Sequence, residues 1–592
     1  MTAAFLISAS LGSAYGALYT DPSQLPNKSY DYIVVGSGAG GGVIASRLTE
    51  TSSVNVLVIE AGGNNEGIEG VEIPYFGPTL SPGTILDWNL TTVPQPGLNG
   101  RSIAYARGHV LGGSTSINFM VYNRGSKDDF DRWANVTGDS GWSWDSLQPY
   151  IKKMEKLVPS ADGHNTSGQI IPSAHGTSGP VGVSLPGYSL ATDALVLAAS
   201  EELSDEFPFN EDVNAGNTIG ISWVPYTIQN GSRVSSATAY IEPALSRSNL
   251  DVLINTQVTK VIKTGTNDGV PIFRGVQFAT SSSGKKYSLN AAKEVILSAG
   301  AVKTPQILKL SGIGNSTELS KFGIKTLVNL PGVGQNLQDH TLLCSSWYAN
   351  ATQTLDEISQ NSTFTAELVQ QWETTRTGKL VLGPANQFAW LRLPDNESIW
   401  ENNADPSAGP TSGHYELLFT DGFVSFTLPT PASGKYFTLF TNVVSPSSRG
   451  SITLASADPF AAPLIDPGLL ASDVDTTIMV EAIKAGKRFV AANAWNGYIL
   501  EPYGPFAAAN NDTEIEAYAR EMSTTVWHPT SSAPMSSKKS KSGVLNPDLT
   551  VKGTSGLRVV DASAMPYITA AHTQVGVYIL AERAADLIKA SD

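Results

Sequence analysis

The chain has 592 residues, 41% hydrophobic and 15% charged, which describes a globular protein long enough for more than one domain. Its formal charge of −15 argues against nucleic acid and against an anionic membrane surface as partners. The single cysteine, Cys344, excludes an intrachain disulfide and any cysteine-based zinc or iron–sulfur site; the seven histidines show no helical metal spacing, so no metal is expected.

Residues 1–16 read as a processed leader. Residues 5–14 are apolar and small, too short to span a bilayer, and Ala14-Tyr15-Gly16 resembles a signal-peptidase site, although no basic residue precedes it. No other run is long and apolar enough for a membrane helix. Ten N-x-S/T sequons agree with export and a glycosylated surface: Asn27, Asn89, Asn135, Asn165, Asn230, Asn315, Asn350, Asn361, Asn396 and Asn511. A secreted, extracellular protein is expected. Cys344 lies in an apolar stretch, LLCSSW, and reads as a core residue.

Residues 30–48 read YDYIVVGSGAGGGVIASRL. A strand is expected over 30–35 and a helix over 42–48, with Gly36, Gly38 and Gly41 between them in G-x-G-x-x-G spacing. One glycine turns the chain off the strand, one lets a pyrophosphate approach the main chain, and one lets helix and strand pack closely. Exposed amides at the helix start hold phosphate charge, and Ala39, between the glycines, is counted with the cofactor-binding residues. A second apolar strand, 54–59, ends at Glu60 and Ala61, and a carboxylate there can accept the hydroxyls of an adenosine ribose. Alone, such a glycine pattern also describes a strand–helix turn that needs small residues. With a strand before, a helix after and an acid at the next strand end, it points to a dinucleotide without saying which one.

The next stretch, 63–107, is rich in Gly, Pro and Asn and reads as long loops. Residues 107–125, RGHVLGGSTSINFMVYNRG, form a second small-residue cluster leading into an apolar run. Residues 130–133 and 146–157 look helical, and 160–184 loop-rich. Strands return over 250–261 and 293–297. The second is followed by SAGAVKTPQILKLSGIG, in which Gly300 precedes a helix over 304–310 and Gly312 ends it. Residues 332–340 make another glycine-rich turn. The portion 342–523 mixes helices at 363–375 and 476–491 with β-rich stretches such as 436–444. A strand at 557–560, a loop and a helix over 574–590 complete the chain. Cofactor-type elements thus stand at the start, middle and end, and the domain they build is discontinuous.

Four separated patterns resemble the glucose–methanol–choline family of flavin oxidoreductases. They are the Gly36 loop with Glu60-Ala61-Gly62; GHVLGGSTSIN at 108–118, where His109 replaces the family's usual Arg or Lys; GAVKTPQILKLSGIG at 300–314; and the pair WHPTSSAPM at 527–535 with VVDASAMPYITAAHTQ at 559–574. The likeness runs from about residue 30 to the C-terminus. It implies FAD and a mixed α/β fold class. A Rossmann-type FAD-binding domain would take residues 28–125, 225–341 and 535–592, and a substrate-binding domain with an antiparallel sheet 126–224 and 342–534. Gly113, Ser114 and Asn118 would line the pyrophosphate and flavin, and the backbone at Val258 would meet the adenine. Asp561 and Ala562 would reach the ribityl-phosphate portion beside Thr573 and Gln574; for Asp561 a turn or helix cap is the alternative.

The same resemblance gives His528 and His572 catalytic roles. Histidine suits the movement of a hydroxyl proton near neutral pH. His528 would take the alcohol proton and His572 would hydrogen-bond the same oxygen, while the carbon-bound hydrogen leaves as hydride to FAD. Within the family, DWNLTT (87–92), GHNTSG (163–168), PSAHGTSG (172–179) and VDASAMP (560–566) resemble secreted fungal aryl-alcohol oxidases and the related pyranose dehydrogenases. The latter typically bond FAD covalently through a histidine whose position here is Ile117, so non-covalent FAD is expected. Trp527, Phe119, Phe423 and Phe426 would wall a planar substrate, the last two from a Pro-rich loop at 421–431. Val424, near the place of an aromatic gate in those oxidases, would widen the entrance. The expected activity is oxidation of primary, aromatic or furanic alcohols to aldehydes with release of hydrogen peroxide. A quinone-linked sugar dehydrogenase and a hydroxynitrile lyase on the same fold are the alternatives. Oxygen or a quinone is the electron acceptor, the other partner is a small-molecule alcohol, and a monomer is expected.

Overall fold

The strand Tyr30–Val35 keeps all but one residue buried, and Val56–Ile59 is buried throughout, as unbroken Val/Ile runs require in a sheet covered on both faces. The structure, a computed structural model, describes residues 17–591; the expected leader at 1–16 lies outside them. Parallel strands run in the order Ala17–Tyr19, Leu250–Leu253, Val56–Ile59, Tyr30–Val35 and Tyr287–Leu297. The last is a bridge: its end pairs in parallel with both Tyr30–Val35 and Leu557–Val559, while its beginning pairs antiparallel with Val270–Ala279, which in turn pairs with Gln257–Asn267.

Two helices from opposite parts of the sequence lie together beside this sheet, Ala39–Leu48 and Gln574–Ala590. Arg47 of the first reaches buried Glu582 of the second at 2.8 Å, and Glu582 also accepts from Tyr240 Oη at 2.8 Å.

A second, antiparallel sheet orders Ile499–Pro502, Thr341–Ala349, Tyr436–Val443, Tyr415–Thr420, Gln387–Leu391 and Gly220–Trp223. Side chains alternate between its faces. Leu343, Ala389, Leu417 and Leu439 pack beneath the helix Asp473–Val490. The intervening positions Leu342, Phe388, Trp390, Leu418 and Phe440 point the other way into a separate cluster with Met120 and Val121. Glu416 and Asn442 share that second parity, which sets polar groups among apolar neighbours facing the first sheet.

A mixed α/β fold with parallel and antiparallel sheets is therefore present. Several elements differ from their expected bounds. The first helix starts at Ala39, inside the glycine loop. The expected helix over 146–157 is Trp144–Met154, after which Glu155–Leu157 pairs with Val181–Val183, because Glu155 is drawn into a buried ionic cluster. The stretch 250–261 breaks into two strands at a corner where Asn255 has φ of 55°. Among the described residues no helix is long and apolar enough to cross a membrane, and no cluster of His, Cys, Asp and Glu is arranged to hold a metal. Nine of the ten sequon asparagines are exposed and Asn315 is half-buried; Asn89 donates its Nδ2 to two carbonyls in a tight turn.

Candidate active site

A cavity is bordered by residues of both sheets, with glycines at one end and histidines at the other. At the glycine end, Gly36 has φ of 95°, and a Cβ there would stand 2.5 Å from the Ser298 carbonyl oxygen. A Cβ on Gly41 would stand 1.9 Å from the oxygen of Gly36, so that glycine packs helix against strand and does not itself border the cavity. Gly36, Gly38, Ala39, Glu60, Ala61, Gly113, Ser114, Asn118, Val258, Asp561, Ala562, Thr573 and Gln574 all border it.

Two helices begin at this cavity without a side-chain cap. Gly38 opens Ala39–Leu48 and Thr573 opens Gln574–Ala590. Uncapped N-terminal amides carry a partial positive charge suited to phosphate or another electron-rich group. Glu60 is held at its base: Oε2 accepts from Ser37 N at 2.9 Å and Ser37 Oγ at 2.7 Å, and Oε1 from Gly62 N at 2.8 Å. Ser37 Oγ also accepts from Gly112 N at 3.0 Å, which ties the two glycine loops together. Asp561 uses its carboxylate as a double cap, accepting from Gly300 N at 2.9 Å, Thr304 Oγ1 at 2.6 Å and Ser563 N at 2.8 Å. The capping alternative thus describes its side chain. Asn118 donates to Gln574 Oε1 at 3.0 Å, and its Oδ1 accepts from Arg233 at 2.9 Å. Among the described residues Arg233 is bonded only to carbonyl and amide oxygens, and burial pulls its guanidinium down to about 9. Ile117, which also borders the cavity, has no group that can attack a flavin. The glycine cradle, the two uncapped helix starts and the carboxylate at the second strand end fit the parts of FAD.

At the far end stand three histidines. His528 and His572 border the cavity with ring centroids 4.9 Å apart at 80°. His528 Nδ1 lies 3.0 Å from Nδ1 of His340, which is buried behind it. His528 Nε2 has no hydrogen bond to protein among the described residues. The loop holding His528 is bent: Trp527 has φ of 59°, its carbonyl accepts from Arg107, and its neighbour's amide, His528 N, donates to Asp339 Oδ1 at 2.8 Å. Burial pushes His528 well below its ordinary 6.5, and His572, His340 and Arg107 push in the same direction. Burial also brings His340 to about 3. His572 Nε2 faces Glu416 Oε1 at 3.0 Å, and Glu416 Oε2 accepts from Asn442 Nδ2 at 2.7 Å.

His340, Asp339, Glu416, Asn442 and Arg107 were not anticipated. His340 closes the glycine-rich turn at 332–340, so a histidine at the exit of a cofactor-type turn was the available signal. Glu416 and Asn442 could be reached only through strand parity.

Phe119 and Trp527 border the cavity with rings 6.2 Å apart. Phe426 lies behind both, 6.3 Å from Phe119 and 5.0 Å from Trp527, and Val424 packs beside it on the Leu342–Phe440 side of the sheet. Phe423 does not belong to this wall. Its amide is held by Asp356 Oδ1 at 2.7 Å, and its ring meets Tyr436 and Tyr503 edge-on instead. Leu342, Pro384, Leu418, Phe440 and Val526 also border the cavity, with Asn442 a polar group among them.

Residues 30–342 and 446–581 match the N- and C-terminal parts of a family described as GMC oxidoreductase. Dehydrogenase eriK of Hericium erinaceus is 40% identical over 592 residues, covering 98% of this chain and 97% of that protein. Pyranose dehydrogenase 3 of Leucoagaricus meleagris is also 40% identical, covering 98% and 96%. A solved fungal aryl-alcohol oxidase superposes with a TM-score of 0.82 at 27% identity, covering 96% of this chain and all 100% of that one. By sequence, then, the chain stands nearer to that pyranose dehydrogenase than to this aryl-alcohol oxidase.

Proposed function

The chain belongs to the GMC oxidoreductase family, and from that premise we propose that this FAD-dependent enzyme oxidises an alcohol carried on an apolar, aromatic or furanic skeleton. The observation that carries the reading is the pair of histidines at 4.9 Å, set where an otherwise apolar wall meets the cavity.

In this reading His528 Nε2 takes the hydroxyl proton. Its depressed basicity keeps it unprotonated at neutral pH and ready to accept. His572, turned by Glu416, holds the same oxygen with its remaining ring nitrogen. Phe119 and Trp527 stack on a planar skeleton, while Leu342, Leu418, Phe440 and Val526 exclude water. Gly36, Gly38, Gly113, Glu60, Asn118 and the start of the Gln574–Ala590 helix would hold FAD, which supplies the acceptor for the hydride. With Ile117 at the linkage position, the flavin is held without a covalent bond, so acid precipitation should release it into the supernatant.

Pyranose oxidation by quinone-linked turnover is the second reading. The 40% identity to pyranose dehydrogenase 3 favours it, and Asn442 with Glu416 would offer sugar hydroxyls polar partners. Anaerobic bleaching of the flavin decides between the two. Anisyl alcohol is expected to reduce it faster than glucose, and readmitted air is expected to restore the colour with release of peroxide. Reduction by glucose alone, with recovery only on adding a quinone, would establish the second reading. Cyanide release from mandelonitrile without bleaching would instead indicate a lyase. Secretion rests on the leader pattern and the sequons, and the two-domain division given above and a monomeric state are part of the same proposal.

A further inference from the structure

We propose that His340 is a positioning residue that fixes the tautomer of His528, so that His528 presents an unprotonated Nε2 to the substrate; this rests on the reading of His528 as the base. The two Nδ1 atoms face each other at 3.0 Å. Two lone pairs cannot face each other at that distance, nor can two N–H groups, so one proton lies between them. If His528 Nδ1 carries it, His528 Nε2 is bare and basic. If His340 Nδ1 carries it, His528 Nε2 bears a hydrogen and cannot act as a base.

The reading of His528 as the base selects the first arrangement, because His528 borders the cavity and its Nε2 is the ring nitrogen left without a protein partner among the described residues. His340 then carries its own hydrogen on Nε2, a buried nitrogen with no hydrogen-bond partner among the described residues, and the backbone of Val444 and Thr569 favours a proton on its ring. Burial keeps His340 neutral, which leaves a single proton to be shared. The nearest carboxylate cannot do this work. Asp339 Oδ1 accepts the backbone amides of His340 at 2.9 Å and His528 at 2.8 Å, and its Oδ2 accepts Tyr105 Oη at 2.6 Å and Thr525 Oγ1 at 2.7 Å. Asp339 thus fixes the two backbones, and His340 fixes the ring. When the alcohol proton arrives on Nε2, the Nδ1–H of the imidazolium keeps the same neutral acceptor. The role matches that of the orienting acid in a hydrolase triad, with imidazole in place of carboxylate.

Nitrogen-15 NMR of the FAD-loaded enzyme with labelled histidine rings reads the tautomers directly. Only seven ring systems contribute, and His528→Gln and His340→Gln assign two of them. The expected spectrum has His528 protonated on Nδ1 and bare on Nε2; the reverse overturns the proposal. In parallel, His340→Leu should slow anaerobic flavin reduction about 10- to 100-fold with little change in KM. His340→Asn, whose amide oxygen can stand near the lost Nδ1, should recover most of the rate. Equal losses in both variants, or an unimpaired Leu variant, overturn the positioning role. Should His340→Leu fail to fold, the wild-type spectrum and the Asn variant decide. If the spectrum is as expected but His528→Ala still reduces its flavin at full rate, the tautomer assignment stands and the base assignment falls.

Discussion

His175 and His528 are both enclosed by protein, yet their surroundings drive them in opposite directions. His175 lies between two carboxylates: Nδ1 meets Glu155 and Nε2 meets Asp212 at 2.8 Å, with Arg124 completing the cluster against Glu155. Burial would pull its basicity down, but the bonds to Asp212 and Glu155 outweigh it and raise it. His528 faces two histidines and an arginine, and its one carboxylate neighbour, Asp339, accepts from its backbone instead of its ring. Burial and neighbours then act together, and the ring is neutral. One cluster is an ionic clamp that joins the loop at 172–179 to Glu155; the other is an available base. Whether carboxylates face the ring decides which of the two a buried histidine becomes.

The sharpest break of this contrast is His528→Ala. Anaerobic flavin reduction should fall about 10²- to 10⁴-fold, while FAD loading and melting temperature stay close to wild type. On the other side, Glu155→Gln leaves Arg124 and His175 with an uncompensated buried charge and should cost about 3 to 5 kcal/mol in denaturant unfolding. The folded fraction of that variant should still reduce its flavin normally; a loss of activity matching that of His528→Ala would dissolve the distinction between clamp and base. Glu416→Gln, which weakens the hold on His572 without touching His528, should lower kcat/KM about 10-fold.

pH separates the clusters without mutation. The raised His175 stabilises the fold fully below its ordinary 6.5, and that contribution is lost as pH rises through its folded value. Glu155 is lowered: burial opposes its charge, but Arg124 and His175 overcome that. Its contribution is full above the ordinary 4.5 and is lost as pH falls through its folded value. The clamp therefore holds best between about pH 4.5 and 6.5. Flavin reduction, in contrast, should show no acid limb at 6.5 and should fall only at the depressed value of His528. Chemical melts and stopped-flow rates across that range test both. The smallest expected effect concerns the aromatic wall: Phe426→Ala should raise KM for an aryl alcohol roughly 3-fold, in line with a lost ring–ring contact, and Phe423→Ala should leave it unchanged.

The glycine end of the cavity was legible because main-chain recognition demands glycine at fixed spacing. Gly36 and Gly41 sit where their side chains would strike backbone oxygens, and that constraint is local in sequence. The far end is built from side chains on separate strands and loops: His340, Glu416, Asn442, His528 and His572. No spacing rule links them, so His528 and His572 came into view through family likeness, while His340 and Glu416 did not. The clamp was hidden for the same reason. The segment 172–179 was visible as a pattern, but the partners of His175 stand 20 and 37 residues away, and one of them, Glu155, was read as part of a helix.

The bridge strand Tyr287–Leu297 accepts Leu557–Val559 on one side and Tyr30–Val35 on the other, and the helix Gln574–Ala590 covers Ala39–Leu48. The glycine loop at 36–41 is therefore completed by elements far later in the sequence, at 557–590. Until residues 557–590 leave the ribosome, Val43 and Ile44 lack part of their cover, and the cavity lacks both His572 and one of its two uncapped helix starts. Cofactor capture on the finished site must follow synthesis of residues 557–590, and until then the helix Ala39–Leu48 is incompletely covered.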